Sequence, residues 1–192
     1  MRKNRFVIGV VLGMSLAVAA GSVEAKEAKE KQFHASFAGT DTYKDDFSFT
    51  GTSGVDYIIA AGKSTLGDYT VQAVEEFQPD GNTCTPPGGG SGGVELVGTE
   101  AVYVLSFPER GENLFLHFSP DVTSHACLNP DPDTFVASVQ ATFVVSGGTG
   151  RFEGATGTIN QTHLFIGLPP PPARGGIGSF TGTFDGTINF AK

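Results

Sequence analysis

The chain lacks tryptophan, has only two cysteines and is poor in positive charge, since its 192 residues carry 12 Lys and Arg against 20 Asp and Glu. Nucleic acids and anionic membrane surfaces are bound through basic patches, so the formal charge of -8 argues against both as partners. Helical patterning is also absent: no segment sustains a 3.6-residue period, and 27 Gly and 11 Pro disfavour helix interiors. We therefore expect one all-β domain.

The N-terminal segment has the three parts of a secretory signal peptide. Basic residues among the first five precede an apolar run from Phe6 to Ala20, and Val23 and Ala25 are small residues at the positions that a signal peptidase reads. A membrane anchor is the alternative, but this run is shorter than the roughly 20 residues that cross a bilayer. The pattern predicts a signal peptide at residues 1–25 and a secreted or periplasmic protein that leaves the membrane after cleavage.

The two cysteines, Cys84 and Cys127, gain a meaning from this predicted export. In an oxidising compartment, two cysteines without competitors favour a disulfide bond. Metal binding is the weaker alternative, because only His125 lies near Cys127 and the spacing of a zinc site is missing. We predict the disulfide, and we predict neither a metal nor another cofactor.

The mature chain is a series of short alternating segments separated by Gly, Asp, Asn and Pro. Residues 26–31 (KEAKEK) form a charged run that we interpret as a solvated tail, and residues 32–192 form the predicted domain. We expect about eight strands in an antiparallel closed barrel, with an open two-sheet sandwich as the alternative. The clearest apolar rows are Phe135, Ala137, Val139, Ala141, Phe143 and Val145, and Phe180, Gly182, Phe184, Gly186, Ile188 and Phe190.

Two connections have unusual compositions. Residues 86–93 (PPGGGSGG) lie beside Cys84, so the disulfide would pin this loop. Residues 168–178 (LPPPPARGGIG) predict a short polyproline II segment, either as a long hairpin insertion or as a docking site for a partner. Three acidic residues near the second cysteine could supply oxygens to calcium, but we interpret them as a solvated loop because no calcium-binding repeat accompanies them. These residues are Asp121, Asp131 and Asp133.

A glycine-rich run, Gly147 to Gly157 (GGTGRFEGATG), lacks the spacing of phosphate-binding loops and instead suits a sharp chain reversal. The run Gly147 to Phe152, together with the alternating Phe/Gly terminal strand, resembles the corresponding segment of the allene oxide cyclase barrel and dirigent superfamily, including bacterial secreted members. The resemblance covers roughly the last third of the mature chain. It implies an antiparallel eight-stranded barrel, a homotrimer, and a cofactor-free lumen that holds a hydrophobic substrate. No catalytic residue of these families aligns here.

Polar side chains within apolar rows are the candidate catalytic residues. Glu75 shares a row with Val71, Ala73 and Phe77, where burial would raise its pKa and suit it to general acid or base chemistry. The alternative is a carboxylate at a strand end in solvent. His163 is the second candidate, and its row contains Ile159, Gln161 and Phe165.

Four further residues are candidates for contacting a ligand. Tyr57, Tyr69 and Tyr103 could line a cavity with a polar hydroxyl, although ordinary core packing explains them equally well. His117 could point into a lumen or lie on the surface, because strand parity does not show which face is inside.

Three functions remain open at this point. The first is a secreted β-barrel that binds a small, largely apolar molecule in its lumen. The second is a cofactor-free cyclase or isomerase in which Glu75 or His163 moves a proton. The third is a non-catalytic extracellular module whose barrel is filled by the 16 Phe side chains. A lumen volume of ~300 Å³ or more would favour a drug-sized ligand.

Overall fold

The protein is an all-β barrel. Its computed structural model describes residues 29–44, 54–89, 92–129, 135–167 and 176–191. These residues contain a single 3₁₀ turn, Gly150–Phe152, and no α-helix, so none of them forms a helix that could cross a membrane. The strands are β1 (Lys29–Lys44), β2 (Gly54–Ser64), β3 (Gly67–Cys84), β4 (Gly93–Phe107), β5 (Glu112–Phe118), β6 (His125–Leu128), β7 (Phe135–Gly148), β8 (Thr156–Gly167) and β9 (Gly176–Phe190).

The sheet closes on itself. The order of strands runs β3-β2-β1-β9-β8-β7-β5-β4, and β3 also pairs with β4. The short strands β5 and β6 occupy one position end to end, since both pair with β4 and with β7. This arrangement gives eight positions around the barrel and confirms the predicted closed fold. The open sandwich is excluded because β1 and β9 pair from Lys29 with Phe190 to Tyr43 with Gly176.

The lumen is lined by alternate residues of each strand. In β7 the predicted row is buried at Ala137, Val139, Ala141, Phe143 and Val145. In β9 the large residues of the apolar row are separated by glycines with close neighbours. A Cβ atom at Gly182 would lie 2.6 Å from Cζ of Phe37, which is too close for any side chain.

Aromatic side chains fill the middle of the barrel. Phe37 and Phe184 have ring centroids 4.6 Å apart, and Tyr103 and Phe143 have centroids 4.7 Å apart. At the end with the short β2–β3 and β4–β5 turns, Phe152 of the 3₁₀ turn is fully buried. This part of the lumen is therefore occupied by the protein's own side chains.

The disulfide between Cys84 and Cys127 confirms the predicted pairing. It joins the end of β3 to β6, with Cα atoms 5.9 Å apart, and it crosses β4 at Gly93. A Cβ atom at Gly93 would lie 3.0 Å from Sγ of Cys127 and 2.8 Å from the carbonyl oxygen of Cys84. The absence of a side chain at this position thus leaves room for the bond.

Two expectations from the sequence need correction. The charged segment 26–31 is not a tail along its whole length, because β1 begins at Lys29 and the last three residues pair with β9. Tyr57, proposed above as a residue that could line a cavity, lies with Ile59 on the outer face of β2, and the lumen receives Ile58 and Ala60 instead. The predicted signal peptide, the polyproline residues 168–175, Asp131 and Asp133 lie outside the described residues.

Candidate functional site

A small cavity lies at the end of the lumen opposite the 3₁₀ turn. Its volume is about 40 Å³, and its walls come from seven strands: β1, β2, β3, β4, β6, β7 and β8. Both polar and apolar side chains line it. They are Asp41, Asp56, Glu75, Phe77, Leu96, Ala126, Leu128, Ala137, Val139, His163 and Phe165.

Three carboxyl groups reach this cavity from three adjacent strands. Asp56 of β2 is directly opposite Glu75 of β3, so the two side chains project from the same face of the sheet. Asp41 of β1 is opposite Ile58, two residues along β2 from Asp56, which makes Asp41 and Asp56 diagonal neighbours. Strand register alone therefore gathers the three acids.

Glu75 is held by a buried chain of hydrogen bonds. The hydroxyl of Tyr103 donates to Oε2 of Glu75 at 2.6 Å, and Nε2 of Gln161 donates to the Tyr103 oxygen at 3.4 Å. The exposed fraction is 3% for Glu75, 0% for Tyr103 and 1% for Gln161. Beyond Glu75, the pairing of β3 with β4 slips by one residue between Glu76 and Phe77, and bulges of this kind bend a sheet.

The environment favours the protonated form of two carboxyl groups. Burial and, to a lesser extent, the charge of Asp56 raise the pKa of Glu75, and the hydrogen bond from Tyr103 lowers it; the resulting pKa is about 8. Burial, with the charge of Glu75 as the second cause, raises the pKa of Asp41 to about 8. Both groups are therefore mostly neutral at pH 7 and can act as proton donors.

His163 is the one imidazole in the described wall of the cavity. Its ring packs against Phe180 and Phe37, with centroids 5.5 Å and 6.3 Å apart. Burial lowers the pKa of His163 to about 4, so the ring is neutral at pH 7. A neutral imidazole can accept or donate a proton, depending on its tautomer.

The arrangement offers polar chemistry without a metal-binding geometry. No group of three or more His, Cys, Asp or Glu side chains in the described part of the chain could hold a metal ion. The cavity instead combines two neutral carboxyl groups and a neutral imidazole with apolar walls. Such a site can bind a compact molecule and exchange a proton with it.

The predicted site residues are distributed over three regions. Glu75 and His163 line the cavity, and Tyr103 lies behind Glu75. Tyr69 is buried away from the cavity, where its ring packs on Phe107 and its hydroxyl donates to the carbonyl oxygen of Ser36 at 3.2 Å. Tyr57 is 50% exposed on the outer face, and His117 is also exposed, so neither contributes to the cavity.

Sequence reasoning missed Asp41 and Asp56. Asp41 continues the two-residue row of Phe33, Ala35 and Phe37, so its burial could have been predicted from that spacing. Asp56 belongs to the row of Ile58, but the competing row of Tyr57 is just as apolar. Alternation in the sequence therefore could not show which of the two rows of β2 faces the lumen.

Comparison with known proteins provides no further assignment. No family model, no curated protein and no solved structure matches this chain.

Proposed function

We propose that this protein binds a small, largely apolar molecule at the end of its barrel where Asp41, Glu75 and His163 meet. The observation that carries the proposal is the cavity itself, in which neutral polar groups face apolar walls. Ligand sites in proteins commonly combine a few convergent polar groups with predominantly apolar surroundings.

The size of the cavity limits the ligand. Its volume of about 40 Å³ is far below the ~300 Å³ of a drug-sized site. The proposed ligand is therefore compact, or it buries only one group in the cavity. The filled middle of the barrel supports the rival interpretation, a non-catalytic module, for the remainder of the lumen, and the binding proposal concerns this end alone.

A fragment screen by protein-observed NMR tests the proposal. We expect shift changes at Glu75, Val139 and His163, and we expect them to disappear in Ala137→Leu, which fills the cavity. The matched control is Val136→Leu, because Val136 is the neighbouring β7 residue on the opposite face. Fragments that bind both variants equally, or that shift only residues of the outer face, would contradict the proposal.

A second candidate function is a cofactor-free cyclase or isomerase, in which Glu75 or His163 moves a proton. The raised pKa of Glu75, about 8, and the hydrogen bond from Tyr103 favour Glu75 for this role. The expected signature is loss of turnover in Glu75→Gln with ligand affinity retained. Equal turnover by Glu75→Gln and wild type would remove Glu75 from the mechanism.

We also propose that the chain is exported and that it is a bacterial secreted relative of the allene oxide cyclase barrel and dirigent superfamily. The disulfide is compatible with an oxidising compartment. The eight-position barrel is compatible with the resemblance of the Gly147–Phe152 run. The same proposal includes the homotrimer that the resemblance implies. Native mass spectrometry would measure the number of chains in the assembly.

A further inference from the structure

The cavity end of the lumen has buried polar atoms without hydrogen-bond partners among the described residues. Asp41 is 7% exposed, lines the cavity, and its Oδ1 has no hydrogen-bond partner among the described residues. Nδ1 of His163, in the wall of the cavity, also has none there, and neither has Oε1 of Gln161. A buried polar atom without a hydrogen-bond partner destabilises the folded state, so a ligand that supplies N–H donors would remove that penalty.

The ionisable side chains in the described cavity wall are mainly acids. Asp41, Asp56 and Glu75 approach it from β1, β2 and β3, and no Lys or Arg is among the described residues of its wall. Among the described residues, Tyr103 from β4 and His163 from β8 also face the acids. Neither brings a positive charge at pH 7, since the phenol is neutral and burial lowers the pKa of His163 to about 4.

We propose that the cavity binds a protonated primary amine with a short apolar substituent. This inference rests on the proposed function and specifies its ligand class. An ammonium group supplies three N–H donors, which can bond to the unpartnered Oδ1 of Asp41 and to other carboxyl oxygens of the wall. Its positive charge can pair with a carboxyl group that gives up its proton, and its substituent can contact Leu96, Val139 and the other apolar residues of the wall.

The size and geometry of the site separate an amine from the alternatives. A space of about 40 Å³ holds roughly three groups of the size of water, which corresponds to the ammonium group and the first two carbons of a propylammonium ion. The carboxyl groups do not converge in a metal-binding arrangement within the described residues. An anion would be repelled by the charge of Asp56, and a neutral alcohol supplies one O–H donor where an ammonium ion supplies three N–H donors.

Binding of the ammonium ion should release a proton from the cavity. Asp41 and Glu75 hold protons in the empty cavity, and the ammonium ion would displace a proton from the carboxyl group with which it pairs. The proton goes to the solvent, so the charge within the cavity stays nearly constant. Affinity should therefore increase between about pH 6 and about pH 9, because the competing proton is lost while the amine stays charged.

Three probes of similar size test the ligand class on the wild-type protein: propylammonium, propan-1-ol and propionate, each titrated by NMR. We expect propylammonium to bind more tightly than propan-1-ol by a factor on the order of ten, with shift changes at Asp41 and His163, and no binding of propionate. If propan-1-ol binds in the cavity as tightly as propylammonium, the amine proposal fails and the proposed function stands. If neither these probes nor any other fragment binds in the cavity, the amine proposal and the proposed function both fail.

Two variants and a calorimetric measurement complete the test. Asp41→Asn should weaken propylammonium on the order of tenfold and leave propan-1-ol unchanged. The control Glu76→Gln removes the same charge from the opposite face of β3 and should leave both affinities unchanged. Titrations in two buffers of different ionisation enthalpy should report proton release in wild type. Equal weakening by both variants, or binding without proton release, would overturn the proposal.

Discussion

The hydroxyl of Tyr103 donates a 2.6 Å hydrogen bond to Oε2 of Glu75 in a part of the lumen that solvent does not reach. The bond joins an aromatic side chain of the packed core to a carboxyl group in the wall of the cavity. Because the rest of the Tyr103 ring packs on Phe143, the core fixes the position of the Glu75 side chain.

The hydrogen bond from Tyr103 should therefore contribute to the stability of the fold and influence the pKa of Glu75. We expect Tyr103→Phe to lower the free energy of unfolding by roughly 1–3 kcal/mol and to raise the pKa of Glu75 further, since the hydroxyl now lowers it. Urea unfolding and carboxyl NMR measure the two effects. The matched control is Tyr57→Phe, whose hydroxyl belongs to a half-exposed residue of the outer face. Similar losses in the two variants would show that the Glu75 bond is unimportant.

Stability should depend on pH through three buried groups. Asp41 and Glu75 have a pKa of about 8 in the folded protein, against ordinary values of 3.8 and 4.5. Their stabilising contribution is therefore complete below about pH 4 and is lost as the pH rises towards 8. His163 acts in the opposite sense, because its pKa of about 4 is below its ordinary 6.5, and its contribution is lost as the pH falls from 6.5 to 4.

Above pH 6.5 the titration of His163 no longer opposes that of the two carboxyl groups. The free energy of unfolding should therefore fall as the pH rises from about 6.5 to 8. The slope should reach roughly 1 kcal/mol per pH unit for each carboxyl group. Urea unfolding at a series of pH values measures it. Asp41→Asn should reduce the slope and Glu76→Gln should not. A free energy of unfolding that rises between pH 6.5 and pH 8 in wild type would contradict the burial of these acids.

The disulfide should stabilise the end of the barrel that contains the cavity. Replacing both Cys84 and Cys127 by serine should lower the free energy of unfolding by about 2–4 kcal/mol, because the bond closes a loop between residues 43 positions apart. A reducing agent should have a similar effect on wild type and none on the double variant. Labelling of two free thiols per chain in freshly exported, denatured protein would contradict the bond.

Gly182 should tolerate no side chain. A Cβ atom at this position would approach the carbonyl oxygen of Thr162, Cβ of His163 and the Phe37 ring, so Gly182→Ala should cost about 2–3 kcal/mol. The neighbouring residue Thr181 faces outward, and Thr181→Ala should cost less than about 1 kcal/mol. Thermal unfolding of both variants measures the difference. Equal costs would mean that the lumen has more room beside Phe37 than this packing allows.

Export should remove the signal peptide. Intact-mass analysis of protein from the culture medium or periplasm should give a chain that begins near Lys26. A mass that retains residues 1–25 would contradict the predicted cleavage.

The sequence predicted the barrel and part of the site for definite physical reasons. The rows of β7 and β9 were predictable because one face is apolar and the other carries polar residues such as Ser138 and Thr181. Glu75 was predictable as a lumen residue because Val71 and Ala73 precede it in one row. In β2 both rows are apolar, so the orientation of Tyr57 could not be predicted from alternation.

The clustering of acids was out of reach for a different reason. Asp41, Asp56 and Glu75 lie on separate strands, and their proximity depends on the register of β1 with β2 and of β2 with β3. Registers between strands are set by turns and by barrel closure, which periodicity within a single strand does not contain. The sequence indicated the filling of the barrel by aromatic side chains only as one of three alternatives, because the number of Phe residues does not determine the volume of the lumen.

Native mass spectrometry of the exported protein tests the central claim, ligand binding in the cavity, most directly. We predict that wild-type chains carry a bound small molecule that organic solvent removes, that Val136→Leu retains it, and that Ala137→Leu, with its cavity filled, does not. A wild-type mass equal to that of the chain alone, or a bound molecule that persists in Ala137→Leu, would contradict the account.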